Sequence, residues 1–264
     1  MRNILSAQNL PVLRKFALGN VLLAFDFDGT LAPVTSVPAR ATLPRRTRNL
    51  LQGLTLLYPC IVVSGRSRSD VQQRLQGINF REIFGNHGIE PWDTSRAVAK
   101  AVRKWMPVLN ARLTPIPGVM VENKQFSVSV HYRKARQKYK TIRAIHQAAK
   151  NLPGARLLGG KQVINILFQG APDKGLAVGK AQKKWRCEKV IFIGDDETDE
   201  SVFALAQRGR FLTIRVGPKR TSLARFYIRK QLEIDTLLRA LLAARETPRT
   251  SPRGIKSAGP SPRH

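Results

Sequence analysis

Three apolar runs in this chain each lead directly into a polar turn that contains glycine. Residues 21–27, VLLAFDF, lead into Asp28-Gly29-Thr30; residues 60–63, CIVV, lead into Ser64-Gly65-Arg66; residues 189–193, KVIFI, lead into Gly194-Asp195-Asp196. A fourth run, FLTIRVG at 211–217, has the same make-up. Unbroken β-branched and aromatic runs bounded by such turns predict strands buried on both faces. Helical patterns follow at about 69–75 and behind the acidic turn at 202–205. That alternation predicts an α/β fold with a parallel, Rossmann-like sheet covered on both sides. Ligands in such sheets collect at the carboxyl ends of the strands. The chemically suggestive residues of this chain all fall there.

Between about 92 and 171 the pattern changes. A helix is predicted over 95–109, strands over 119–124 and 126–133, a helix over 135–150, and strands over 155–158 and 163–168. In the second strand Phe126, Val128, Val130 and Tyr132 alternate with Ser127, Ser129, His131 and Arg133, the period of a strand with one apolar and one polar face. The order α-β-β-α-β-β predicts an open antiparallel sheet backed by two helices, inserted as a cap, with its other face available and cationic. The expected organisation is a core from 1–91 and 172–244, a cap at 92–171, and a disordered basic tail at 245–264, rich in Pro, Ser, Gly and Arg.

Charge narrows the possibilities further. The 264 residues carry 46 Lys and Arg against 17 Asp and Glu, a formal +29, so the surface is expected to attract polyanions, acidic membranes or phosphorylated metabolites. Yet seven of the carboxylates gather in two short stretches, Asp26 with Asp28 and five within 195–200. Such concentration predicts a bound cation. Cys60 and Cys187 cannot build a disulfide framework, and a reducing compartment is the simpler reading. A cleavable leader and an 18-residue apolar span are both lacking in the sequence, so a cytoplasmic location without a membrane-spanning segment is expected.

The string FDFDGTLAP at 25–33 resembles the first signature of the haloacid dehalogenase-like phosphohydrolases. VVSGR around Ser64, PDKG around Lys174 and GDDETDE at 194–200 follow in that superfamily's order. Within it the chain resembles the trehalose-6-phosphate phosphatase family through GNHGIE at 85–90, VENKQFSVSVHYR at 121–133 and GGKQV at 159–163. The likeness covers about residues 20–240. It implies the capped parallel-sheet fold and Mg²⁺-dependent hydrolysis of a phosphorylated disaccharide, most directly trehalose 6-phosphate. It also raises association with a trehalose-6-phosphate synthase.

Physical chemistry and the resemblance together suggest roles. Asp26 is the expected nucleophile, forming an aspartyl-phosphate, and Asp28 the acid and base. Mg²⁺, which favours hard oxygen ligands, is assigned to Asp26, the Asp28 carbonyl and Asp195, with Asp199 supporting metal waters or orienting Lys174. Ser64, Thr30 and Lys174 are expected around the phosphoryl oxygens. Asp196 and Glu197 read as solvated neighbours. The resemblance assigns Glu122 and Lys124 to sugar hydroxyls and Asn86, His87 and Gly88 to the core side of the cleft, which Arg66 also faces. Glu122 pairing with a lysine and His131 as a surface residue are the plainer readings beside sugar contact.

The resemblance breaks at one string. Where the family carries a glutamate followed by Arg-Pro, this chain has Asn165, Leu167 and Phe168. An amide still donates to and accepts from hydroxyls but lacks a charged acceptor. Another glycosyl phosphate, of glucosylglycerol or glucosylglycerate type, is therefore a second candidate substrate. A nucleic-acid-binding protein without catalysis is the rival of a different class. No zinc-ligand spacing or stacking-aromatic signature supports it.

Overall fold

A computed structural model describes residues 1–35, 40–92 and 96–246 of the chain. Seven parallel strands form the core sheet: β1 (Arg2–Asn3), β2 (Val21–Phe25), β3 (Cys60–Val63), β4 (Glu82–Phe84), β9 (Lys189–Gly194), β10 (Phe211–Val216) and β11 (Phe226–Ile228). Their order is β1-β11-β10-β9-β2-β3-β4. The chain builds outward from β2 through β3 and β4 on one side, then returns to β9, β10 and β11 on the other. The crevice where these directions diverge lies above the carboxyl ends of β2 and β9.

The strand runs are continuous because both faces are covered. Val21, Leu23 and Phe25 pack with α1 (Leu10–Ala17), α2 (Arg45–Leu57) and α8 (Ile234–Glu246) through Leu13, Leu51, Leu54, Leu237 and Leu241. Leu22 and Ala24 pack on the other face with α6 (Lys174–Lys184) and α7 (Glu200–Phe203). Truncating a buried side chain such as Phe25 to alanine costs about 3–5 kcal/mol. The helix expected over 69–75 is α3 (Arg68–Arg74). The short strands β1, β4 and β11 carry too few residues for the pattern to reveal them.

The insertion follows the expected order: α4 (Arg96–Leu113), β5 (Met120–Asn123), β6 (Ser127–His131), α5 (Lys138–Lys150), β7 (Ala155–Gly160) and β8 (Val163–Phe168). Its antiparallel sheet runs β5-β6-β8-β7. Helix α4 continues a turn beyond Leu109 because Leu113 extends the buried stripe of Val98, Val102, Trp105 and Leu109, with Pro107 on the exposed side. Both helices cover one sheet face, through Val128, Val130, Ile164 and Ile166.

Two expectations need correction. The polar face of β6 is open only in part: Ser127 and Ser129 are fully buried against the core, while His131 and Arg133 are half-buried and line a cleft. Arg245 belongs to α8, not to a tail; its guanidinium donates to the carbonyls of Ala17, Gly19 and Leu57 and stacks on Tyr58. Residues 247–264 of the expected tail lie outside the described residues. Cys60 and Cys187 are buried and unpaired. Among the described residues no helix is long and apolar enough to cross a membrane.

Candidate active site

Register between β2 and β9 fixes the centre. Phe25 lies opposite Ile193, and the Asp26 amide donates to the Ile193 carbonyl at 2.9 Å. Asp26 and Asp195, the next polar residues on each strand, therefore emerge side by side. Both are buried. Asp195 presses against the turn after β2, where a side chain in place of Gly29, at φ +85°, would run into its carboxylate. Asp199 folds back in a capping box, its Oδ2 accepting from the Asp195 and Asp196 amides at 2.8 and 2.9 Å. Lys174, the first residue of α6, points into this group and donates to Asp26 Oδ1 at 2.6 Å and Asp199 Oδ1 at 2.7 Å.

Electrostatics follow from burial. Desolvation pushes the Asp26 carboxyl well above the ordinary range; Lys174 opposes the rise while Asp199 and Asp195 add to it. Asp195 is raised to about 6, again chiefly by burial, with Lys161 pulling it down. Burial alone would lower Lys174, but the charges of Asp199 and Asp26 outweigh it and hold the ammonium firmly protonated.

Asp28 stands apart from this group. Arg66 donates Nε to its Oδ2 at 2.6 Å and Nη2 to its Oδ1 at 2.7 Å, and gives Nη1 to Asp70 at 2.7 Å. Arg74 in turn donates to Asp70 at 2.9 Å. Sequence reasoning missed Asp70 and Arg74, although they stand one turn apart on α3 and Arg66 lies just before that helix, four residues from Asp70.

On the core side, His87 lies against Gly65 in the left-handed conformation, φ 61°. It is buried beside the Asn165 amide, and neither ring nitrogen makes a well-formed hydrogen bond. Burial first, then Lys174 and Lys124, hold its imidazole well below the usual histidine range. Asn86 joins core to cap: Nδ2 donates to Glu90 and to the Lys124 carbonyl, while Oδ1 accepts from Ser127 at 2.5 Å. Gly88 packs on Asp173 and Ala177. Ser64 and Thr30 are fully buried behind the cleft surface. The Ser64 hydroxyl accepts from the Arg66 amide at 3.2 Å, and Thr30 Oγ1 has no partner.

The cap forms the opposite wall of a cleft of about 800 Å³, lined by Asp26, Asp28, Arg66, His87, Lys174 and Asp195 below and by Glu122, Lys124, His131, Lys161 and Asn165 above. Lys124 donates to the Gly65 carbonyl at 3.0 Å and lies 3.8 Å from Glu122. Burial would raise Glu122, but the His131 hydrogen bond at 2.7 Å and the Lys124 charge outweigh it and hold the carboxyl below its usual range. Asn165 Oδ1 accepts from Ser129 at 2.7 Å. Lys161, at the tip of the β7–β8 hairpin, reaches Asp195 Oδ2. Glycines at 159 and 160 admit that approach, since side chains there would meet Glu197 and Asp196. The Gly159-Gly160-Lys161 turn is the signal in the sequence from which Lys161 could have been found.

Asp26, Asp195 and Asp199 each place a carboxylate oxygen within 4.8 Å of the others. Asp195 Oδ1 is buried with no hydrogen-bond partner. Converging hard oxygens that are costly to leave charged and buried suit a hard divalent cation. Asp199, with both oxygens already accepting hydrogen bonds, fits that cation least directly.

Comparison with known proteins agrees with this architecture. The trehalose-phosphatase family model matches residues 24–223. The trehalose-phosphate phosphatase of Mycobacterium marinum is 35% identical over 212 residues, covering 72% of this chain and 53% of that protein. Probable trehalose-phosphate phosphatase D of Arabidopsis thaliana is 29% identical over 251 residues, covering 84% and 67%. The chain thus spans about half the length of the mycobacterial relatives it matches. The C-terminal domain of a Candida albicans trehalose-6-phosphate phosphatase shares the fold, with a TM-score of 0.73 at 19% identity over 89% of this chain and 97% of that one. The family match takes in the carboxylate-lysine centre and the whole cap, and on it the chain belongs to the trehalose-phosphatase family.

Proposed function

We propose that this chain hydrolyses the phosphate monoester of a sugar, with trehalose 6-phosphate as the leading substrate, Asp26 as nucleophile and Mg²⁺ as cofactor. The observation that carries the reading is the buried group of Asp26, Lys174, Asp199 and Asp195 on the floor of a cleft roofed by a polar cap face. A phosphoryl group in transfer concentrates negative charge, and fixed cationic donors in a desolvated site stabilise it strongly. Lys174 supplies such a charge and holds Asp26 in place. Asp26 and Asp195, with the Asp28 carbonyl, would hold Mg²⁺, which when bound neutralises the phosphoryl oxygens.

Asp26 attacks phosphorus and the bond from phosphorus to the sugar oxygen breaks, leaving an aspartyl-phosphate. Asp28 gives its proton to the departing sugar alkoxide. It then takes a proton from water, which attacks the phosphoryl group, releases inorganic phosphate and restores Asp26. Arg66 donates to both Asp28 oxygens and so holds the ionised, base form in place. The acid step requires one of these two contacts to open so that the freed oxygen carries the proton it gives up. Glu122, Lys124, His131 and Asn165 form the wall available to sugar hydroxyls, and the cleft volume lies within the usual range for small-molecule sites of about 300–1,000 Å³.

The neutral amide of Asn165 favours a second reading in which the same chemistry acts on another glycosyl phosphate. A phosphate-release screen across phosphorylated mono- and disaccharides with Mg²⁺ decides between them. Highest kcat/KM on trehalose 6-phosphate supports the first reading, and on a different sugar the second. No release from any member contradicts both.

A further inference from the structure

The cap helices divide their residues by chemistry. Their apolar side chains enter the cap core, and neither α4 nor α5 contains a single Asp or Glu. Lys100, Arg103 and Lys104 on α4, and Lys140, Arg143 and Lys150 on α5, are exposed. Among the described residues none of the six has an ion-pair partner. Exposed cations of the core are mixed: Lys184 pairs with Glu82, Lys219 with Glu197 and Arg229 with Glu233, while Arg14, Lys15 and Lys183 have no ion-pair partner among the described residues. Like charges three and four residues apart on a helix repel by a few tenths of a kcal/mol per pair. Among the described residues no carboxylate pairs with these cations to offset that repulsion.

We propose that the outer face of α4 and α5 is a docking surface for the phosphodiester backbone of nucleic acid. The six named cations sit on the side of the cap sheet opposite Ser129, His131 and Asn165, so a polyanion held there leaves the catalytic cleft open. Three features favour a nucleic-acid backbone over a bilayer or an acidic protein. Interfacial helices on bilayers present a broad apolar face, and protein interfaces are built around an apolar centre. The only large hydrophobic residues exposed on these two helices are Val108 and Tyr139. Backbone binding, by contrast, needs only ordered cations that displace condensed counterions. This inference does not rest on the phosphatase reading.

The test uses the full chain and a fluorescein-labelled random 20-base-pair DNA duplex, followed by anisotropy from 50 to 300 mM salt. The variant Lys100→Gln, Arg103→Gln, Lys104→Gln, Lys140→Gln, Arg143→Gln, Lys150→Gln keeps good helix formers. It is expected to bind at least about thirtyfold more weakly at 50 mM salt, with a log–log salt slope smaller by about 4–5. Its sugar-phosphate turnover should be unchanged. A control neutralising six exposed core cations, Arg14, Lys15, Arg45, Lys183, Arg210 and Arg239, should shift affinity by less than about threefold. Circular dichroism confirms that both variants fold. Equal losses in variant and control, absence of duplex binding by the native chain, or tighter binding to phosphatidylserine vesicles than to duplex at matched salt would each overturn the proposal.

Discussion

Arg66 holds both carboxylate oxygens of Asp28, at 2.6 and 2.7 Å, and is itself anchored by Asp70 at 2.7 Å. A planar fork gripping a carboxylate this way fixes direction as well as charge, and lysine cannot reproduce it. Arg66→Lys is therefore expected to lower kcat about 10–100-fold on p-nitrophenyl phosphate with little change in KM. Steady-state kinetics check this. A large rise in KM at unchanged kcat would instead place Arg66 on the substrate.

Asp28→Asn removes the group assigned to both proton transfers while keeping its size. Positioned proton transfer contributes roughly 10²–10⁴-fold, so turnover of a sugar phosphate should fall by that factor. The loss should be smaller on p-nitrophenyl phosphate during phosphoenzyme formation, because that leaving group departs without a proton. Rapid-quench measurement of bound phosphate separates the two steps. Identical losses of formation rate on both substrates would remove the acid role.

Much of the core was legible because its strands are buried on both faces, which leaves long apolar runs that nothing else explains. Asp26 and Asp195 were legible as neighbours because parallel strand ends lie side by side, as the pairing of Phe25 with Ile193 illustrates, and Asp199 because it follows Asp195 by one helical turn. What the sequence hid depends on contacts between distant segments. The alternation in β6 identified Ser127 and Ser129 as polar, but only the seating of the cap on Asn86 shows them buried. Asp70 looks like any helix carboxylate until Arg66 is seen between it and Asp28. Lys161 was one lysine among many, and the hairpin that carries it to Asp195 depends on two glycines packed against the acidic turn.

His87 gives a pH signature. Its folded pKa lies below the ordinary 6.5, chiefly through burial, so folding excludes the proton. The corresponding stability is fully present above pH 6.5 and is lost as pH falls below it, by up to about 1.4 kcal/mol per pH unit. His87→Gln lacks that dependence. Urea unfolding of both proteins at pH 8, 6 and 5 should show native stability falling relative to the variant on acidification. Parallel pH curves would contradict a buried, neutral imidazole.

On the proposed function, sugar discrimination is expected from the cap wall. A hydrogen bond to a charged group is worth roughly 1.5–3 kcal/mol, so Glu122→Ala should lower kcat/KM on the natural sugar phosphate about 10–150-fold. The effect on p-nitrophenyl phosphate, which has no hydroxyls to offer, should be several times smaller. Asn165→Glu should preserve or raise trehalose 6-phosphate turnover at a trehalose site and depress native activity at a site tuned to another sugar. Equal losses on every substrate would mean general damage, not lost recognition.

The most direct test is phosphate release with Mg²⁺ by native protein and Asp26→Asn, on the best sugar phosphate, each repeated after EDTA. The predicted result is release by the native chain that EDTA stops and Mg²⁺ restores, and none above background from folded, deamidation-free Asp26→Asn. Near-native release by that variant, or full release from rigorously metal-free protein, would contradict a cation-assisted nucleophile at Asp26.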